Sequence, residues 1–262
     1  MVASGALHRG SVQLKQLLSF ETLTAFHAFL QQPAPDTMHC VGGFDLPFGL
    51  PRAWVEAQQW PTTWPECMDR YAAHSRDELR QLFKSFCDAG PAGSKFAHRT
   101  TDGPAGASPS MKWVNPPVAW MMHAGVPLLR SAGWTLPGLQ AGRSDCVALE
   151  AYPGLLAREI VGHRSYKSDD KQKQTPERWL ARKDILHALD LAQTRLALRL
   201  KLSPAQHDLL LADGSGDRLD AVLCMVQAGW AATQHALAEA AGQTGSYGLP
   251  KFDPLEGWIV SA

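Results

Sequence analysis

Residues 147–167, VALEAYPGLLAREIVGHRSYK, constrain the fold of this chain more than any other stretch. Val147, Ala148 and Leu149 read as a buried strand with Glu150 at its carboxyl end, and Tyr152-Pro153 breaks the extended chain before a short helix. In α/β sheets the carboxyl ends of strands are where crevices open to ligands, because the loop that follows leaves room while the sheet holds the residue rigidly. Glu150 is therefore expected as a fixed carboxylate at a sheet edge.

Upstream, residues 1–7 and 11–18 flank His8-Arg9-Gly10 and read as two strands joined by a tight turn. Leu23, Phe26, Phe29 and Leu30 recur at helical spacing, predicting an amphipathic helix over 21–30 that packs on this hairpin and is ended by Pro33 and Pro35. Residues 38–44, MHCVGGF, read as a strand that delivers Asp45 to the turn-forming LPFGLP at 46–51. Asp45 repeats the Glu150 arrangement and could face it across adjacent strands; an aspartate before a Pro/Gly turn is equally an Asx-turn residue.

From 52 to 145 the alternation of strands and helices gives way to sequence rich in tryptophan and proline, with helices expected near 54–59 and 76–87. This reads as an insertion on a sheet scaffold. Within it, KFAHR at 95–99 and SMKWVNPP at 110–117 mix cations with aromatic or apolar groups, the combination that holds phosphate and stacks a base. The alternative is a structural loop whose Trp113 plugs the core. The balance favours structure for Trp113 and phosphate contact for Lys112.

Beyond Glu150, residues 163–183 carry Arg164, Lys167, Lys171, Lys173, Arg178, Arg182 and Lys183 against Asp169, Asp170 and Glu177. Thr175-Pro176-Glu177 marks a helix start, with Thr175 as cap and Pro176 at the first helical position, so that Arg178 and Arg182 share a face. Such a run is commonly a solvated helix face, but Arg164 and Lys167 directly follow the anchor and are the candidates for phosphate contact. Residues 204–211 read as another helix, and DGSG at 213–216 as a flexible loop into DRLDAVLCMV. Asp217 is placed to cap the last long helix, and Asp220, three residues on, lies on the same face. Capping and the helix dipole account for Asp217. They account less well for Asp220, which precedes an apolar stretch that must be buried. EGWIV at 256–260 reads as a short closing strand.

Composition narrows the chemistry. With 262 residues and 45% hydrophobic content, the chain can bury one large core over 1–262, with 52–145 as the insertion. A formal net charge of zero argues against a polybasic protein without excluding a local basic patch. Five widely spaced cysteines without a CxxC pair fit a reduced, cytoplasmic protein and offer no zinc site. Residues 1–10 lack the apolar core of a signal peptide, and no run approaches the roughly 18 apolar residues of a membrane helix, so no membrane partner is expected. GPAGSK at 90–95 has the wrong spacing for a phosphate loop, no GxSxG elbow occurs, and the ten histidines are scattered. What remains is a set of hard oxygen ligands, Asp45, Glu150, Asp217 and Asp220. Such a set suits Mg²⁺ or Mn²⁺ and the cleavage of phosphodiester bonds, with two metals about 4 Å apart sharing carboxylates. Lys112, Arg164 and Lys167 would grip the backbone of a nucleic acid.

These residues resemble the ribonuclease H-like proteins catalogued as domain of unknown function 429, described as predicted nucleases. The resemblance runs through VGGFDLPFGLP at 41–51, residues 110–117, Glu150-Ala151-Tyr152-Pro153, Arg164-Ser165-Tyr166-Lys167, Gly216-Asp217-Arg218-Leu219-Asp220-Ala221 and Glu256-Gly257-Trp258, nearly the whole chain. Asp217-Arg218-Leu219-Asp220-Ala221 also looks like the last acidic motif of ribonuclease H-like junction resolvases, where such residues bind metal. The resemblance implies an α/β fold: a ribonuclease H-like mixed sheet flanked by helices, with a large, mostly helical insertion. It also implies a first strand carrying an aspartate, whereas Met1-Val2-Ala3-Ser4 reads as already inside the second strand. The expectation is that the start lies upstream of Met1 or that catalysis is lost. A non-catalytic module binding nucleic acid or protein through the basic face, and a hydrolase of a small phosphorylated metabolite, are the alternatives to a nuclease.

Overall fold

The computed structural model describes residues 1–33, 39–90 and 95–262. Pro35 as a helix stop, Met38 as a strand start and most of the GPAGSK stretch lie outside these residues. The chain opens with a hairpin, β1 (Val2–His8) and β2 (Ser11–Leu18), followed by α1 (Leu23–Leu30) and β3 (Cys40–Phe44). Then come α2 (Arg52–Ala57), α3 (Trp64–Ala73), α4 (Arg76–Ala89), α5 (Asp102–Ala105) and α6 (Val118–Ser131). The chain continues through β4 (Trp134–Thr135), β5 (Arg143–Glu150), α7 (Pro153–Val161) and α8 (Pro176–Asp190), and ends with β6 (Arg199–Lys201), α9 (Pro204–Ala212) and α10 (Asp217–Ala240). The fold is mixed α/β, with small sheets flanked by helices, and among the described residues no helix is long and apolar enough to cross a membrane.

These elements form two compact units. The first comprises Met1–Thr22, Ala151–Gly248 and Ser261; the second comprises Leu23–Glu150, Leu249–Val260 and Ala262.

In the first unit the sheet order is β1-β2-β6, with β1 antiparallel and β6 parallel to β2. Gly10, in the left-handed region at φ +66°, makes the tight turn between His8 and Ser11. Helix α10 lies against the hairpin where two glycines permit close approach. A Cβ on Gly5 would stand 2.6 Å from Met225 Sδ and 2.7 Å from the Gln13 carbonyl oxygen, and one on Gly229 would meet Leu198 at 3.2 Å. The core around them joins Val12 and Leu14 of β2 to Leu156, Ile185, Leu189, Leu210, Val222 and Val226 of the covering helices. Capping chemistry sets the boundaries: Ser203 and Gln206 form a capping box at α9, with Pro204 at its first turn. Thr175 occupies the cap position of α8, but it makes no side-chain cap bond; its hydroxyl instead bonds the Glu177 carboxylate.

In the second unit the order is β3-β5-β4, all parallel. The segment expected as a mostly helical insertion is helical, but it holds more helices than the two expected near 54–59 and 76–87: α3 and α6 were not anticipated, and the latter carries Pro127 in its interior, a residue that argues against helix in a sequence. The tryptophans explain the density of this core. Trp54 meets Trp60 at 4.8 Å and Phe83 at 4.9 Å, while Trp113 stacks on Phe83 and meets Phe96 edge-on, so its indole packs on the core. Helix α1 belongs to this unit and not to that of the hairpin on which it was expected to pack. It lies against α6, with Trp134 Nε1 donating to the Leu30 carbonyl at 2.9 Å and Ser131 Oγ 2.8 Å from His27 Nε2. Nor is EGWIV a strand: Ile259 makes one parallel bridge to Glu150, and the rest is turn or irregular.

The Gly5 contact is testable. Gly5→Ala should lower the urea midpoint by an amount equivalent to about 1–3 kcal/mol, the usual range for overpacking. Adding Met225→Ala should recover little, because the clash with the Gln13 carbonyl is with backbone.

Candidate functional site

The four expected carboxylates divide between the units: Asp45 and Glu150 belong to the second, Asp217 and Asp220 to the first. Each pair has its own surroundings.

Glu150 ends β5, and its register partner on β3 is Phe44, so the half-buried Asp45 follows at the end of the neighbouring strand. Glu150 itself is 3% exposed and fully engaged. Arg99, 2% exposed, donates Nη2 to its Oε1 at 2.7 Å and Nη1 to its Oε2 at 2.8 Å, and the Phe48 amide donates to Oε2 at 2.9 Å. The other side of the same guanidinium is held by Asp102, whose Oδ1 accepts from Nε and Nη2 at 3.1 and 2.9 Å. Glu256, also buried, accepts from the Arg52 amide at 2.9 Å and from the Thr100 amide and hydroxyl at 2.8 Å. Burial pushes the Glu150 carboxyl above its ordinary value, against the pull of Arg99 and the Phe48 amide. Burial works against the Arg99 charge too, but Glu150 and Asp102 outweigh it and hold the guanidinium firmly protonated. Arg99, read as one of the cations of a phosphate-holding KFAHR stretch, is instead committed to the interior, and Glu256, read only as part of a closing strand, joins the same cluster; Asp102 was missed, and nothing in KFAHRTTDG marks an arginine destined for the interior.

In the first unit Asp220 sits one turn into α10, 8% exposed, between Tyr166 and Lys167. The Tyr166 hydroxyl donates to Oδ1 and the Lys167 ammonium to Oδ2. Burial raises the Asp220 pKa, the Lys167 charge and the bonds from Lys167 and Tyr166 oppose that rise, and the neighbouring Asp217 adds to it. The Lys167 side chain is 42% exposed, so this cluster has one open side. The segment presenting it is fixed from behind by α8. Arg182 donates to the Tyr166 carbonyl at 2.7 Å and to that of Leu211 at 2.9 Å, and Arg178 reaches Ser165 Oγ at 2.9 Å and the Lys167 carbonyl. Arg178 and Arg182 do share a face, but it is turned inward and does not form a solvated stripe.

Asp217 is not the cap of α10. Gly216 holds the cap position in the left-handed conformation, and Asp213 accepts from the Arg218 amide at 2.9 Å. The Ser215 hydroxyl lies between the Asp213 and Asp217 carboxylates, 2.9 and 3.1 Å from them. Of the expected phosphate contacts, Arg164 pairs with Asp184 at 2.8 Å on the surface, an interaction worth about 0–1 kcal/mol. Lys112 lies half-buried in the second unit, its backbone held by Pro109 and Ala119. Lys167 alone of the three stands beside an expected carboxylate within its own unit.

The donor set does not fit a resident Mg²⁺ or Mn²⁺ in this arrangement. Both oxygens of Glu150 accept from Arg99, those of Asp220 accept from the Tyr166 hydroxyl and the Lys167 ammonium, and among the described residues no group of three or more His, Cys, Asp or Glu side chains comes together to hold a metal.

Two measurements check these environments. Removing Arg99 leaves two buried carboxylates unmatched, whereas removing the Glu150 charge leaves Arg99 balanced by Asp102. Arg99→Met should therefore cost about 3–5 kcal/mol in urea unfolding, and Glu150→Gln distinctly less. For Asp220 the folded pKa lies above the ordinary 3.8, so its contribution to stability is full below that pH and is lost as pH rises through the folded value. Asp220→Asn should flatten the decline in unfolding midpoint between about pH 4 and neutrality. Compared with models of protein families, with curated proteins and with solved structures, the chain matches none.

Proposed function

We propose that this chain is a phosphodiester-directed protein of the ribonuclease H-like kind, a nuclease acting on nucleic acid in the cytoplasm, with its site at the amino-terminal turn of α10. The observation that carries this reading is Asp220, a carboxylate held largely out of water, its pKa raised, between a phenol and a half-exposed lysine. A titratable group perturbed by burial and by specific charged partners is a common mark of a functional site. Lys167 is the cation placed to meet a phosphate oxygen, and the start of a helix favours an anion by its dipole. Asp217, exposed beside Asp220, is the carboxylate nearest to solvent.

The carboxylates do not form a metal site as they stand, so dependence on Mg²⁺ or Mn²⁺ is a property to be measured. A second reading, a non-catalytic module that binds nucleic acid, is favoured by the same neutralisation of Glu150 and Asp220 by Arg99 and Lys167.

The deciding experiment incubates the full chain with labelled single- and double-stranded DNA, RNA and a small phosphate monoester, with Mn²⁺ or with chelator. Cleavage of nucleic acid that falls on the order of 10²-fold in both Asp220→Asn and Lys167→Ala is the expected result. Intact nucleic acid in every lane, together with salt-sensitive binding indifferent to chelator, would give first place to the second reading. Turnover of the monoester alone would move the substrate class to small metabolites.

A further inference from the structure

The register of β3 and β5 sets Cys40 directly opposite Cys146. Neighbouring strands lie about 4.7–4.9 Å apart, and residues paired in this way present their side chains on the same face of the sheet. A disulfide requires Cα atoms roughly 4.4–6.8 Å apart, so the backbone spacing of this pair already falls within range. Both residues are free thiols. Burial raises the pKa of each, Asp145 adds to the rise at Cys40, and the charge that Cys40 would carry adds to the rise at Cys146, as a near neighbour's does.

The surroundings of Cys146 are polar in a way that suits thiol chemistry. Its Sγ donates towards Asp145 Oδ2 at 3.6 Å and accepts from Arg143 Nη2 at 3.2 Å, so a carboxylate stands ready for the proton and a guanidinium for the thiolate. Accessibility divides the pair. Cys40 is exposed at the first residue of β3, whereas Cys146 is 1% exposed.

We propose that Cys40 and Cys146 are a reversible dithiol, which a low-molecular-weight disulfide of the glutathione type closes into a bond across β3 and β5. The Cys40 thiolate attacks one sulfur of oxidised glutathione, forming a mixed disulfide and releasing one glutathione thiolate, which takes up a proton. The Cys146 thiolate then attacks the Cys40 sulfur, the mixed bond breaks, and a second glutathione leaves. The protein gives up two protons and two electrons, and one glutathione disulfide becomes two thiols. Closure fastens the middle of β5, the strand whose end carries Glu150 to Arg99.

The test is incubation of the full chain with oxidised glutathione, acid quenching, alkylation, and mass mapping of the unreduced peptides. Wild type should lose two of its five thiols and yield one linked peptide pair joining Cys40 to Cys146, reversed by dithiothreitol. Cys40→Ser should form no link, and Cys146→Ser should stop with one glutathionyl group on Cys40. A wild-type chain that keeps all its thiols, that carries glutathione stably on Cys40 with Cys146 free, or that links through a different cysteine would overturn the proposal.

Discussion

The Arg99 guanidinium lies among groups that exclude water, and a charge in that position must be matched within hydrogen-bond reach or the second unit cannot close over it. Glu150 and Asp102 supply the match from two sides, in the bidentate geometry that a planar guanidinium favours. Because two carboxylates share one cation, the cluster is not symmetric with respect to loss. The arginine is the member whose absence leaves like charges facing one another. The cluster also gathers segments remote in sequence. The Phe48 amide is fixed by Glu150, the Glu256 carbonyl by Arg99, and the Val260 amide by the Glu150 carbonyl at 2.8 Å. A buried ion pair is a weak source of net stability, and its role here is to specify which segments meet.

The first unit uses its cations differently. Arg178 and Arg182 reach carbonyls of the 165–167 segment, so the chain that carries Tyr166 and Lys167 is held by its backbone while the side chains remain directed at Asp220. Gly216 completes the arrangement. A Cβ there would stand 2.6 Å from Cβ of Lys167, so the lysine stem packs over bare backbone at the head of α10. A buried carboxylate with an exposed cation beside it is thus shaped by residues that themselves never meet the solvent side of the cluster.

Much of this was legible in the sequence wherever a single local signal decided the outcome. The hairpin around Gly10, the strand ending at Glu150, the Pro153 and Pro176 helix starts and the long helix from Asp217 all follow from periodicity and turn chemistry. Non-local decisions were not legible. Leu23, Phe26, Phe29 and Leu30 announce an apolar helix face but not which partner covers it; α1 lies against α6, and Trp134 donates to its Leu30 carbonyl. Acidic residues at strand ends and helix starts have the same sequence pattern whether they await a metal or an arginine. Only the position of Arg99, 51 residues before Glu150, decides the matter for Glu150. Asp217 was read as a cap because it begins the helix, yet a carboxylate four residues earlier, reaching back from a glycine-rich loop, takes that role.

The interrupted course of the chain through its two units has a consequence for biosynthesis. β2 pairs in parallel with β6, and between Leu18 and Arg199 the ribosome must add the whole of α1 to α8. At ordinary elongation rates the hairpin therefore waits on the order of ten seconds or more for the strand that completes its sheet. During that interval Val12 and Leu14, both fully covered in the finished protein, have no core to enter. Until Arg199 is made, the nascent hairpin keeps an unpaired strand edge and an uncovered apolar face.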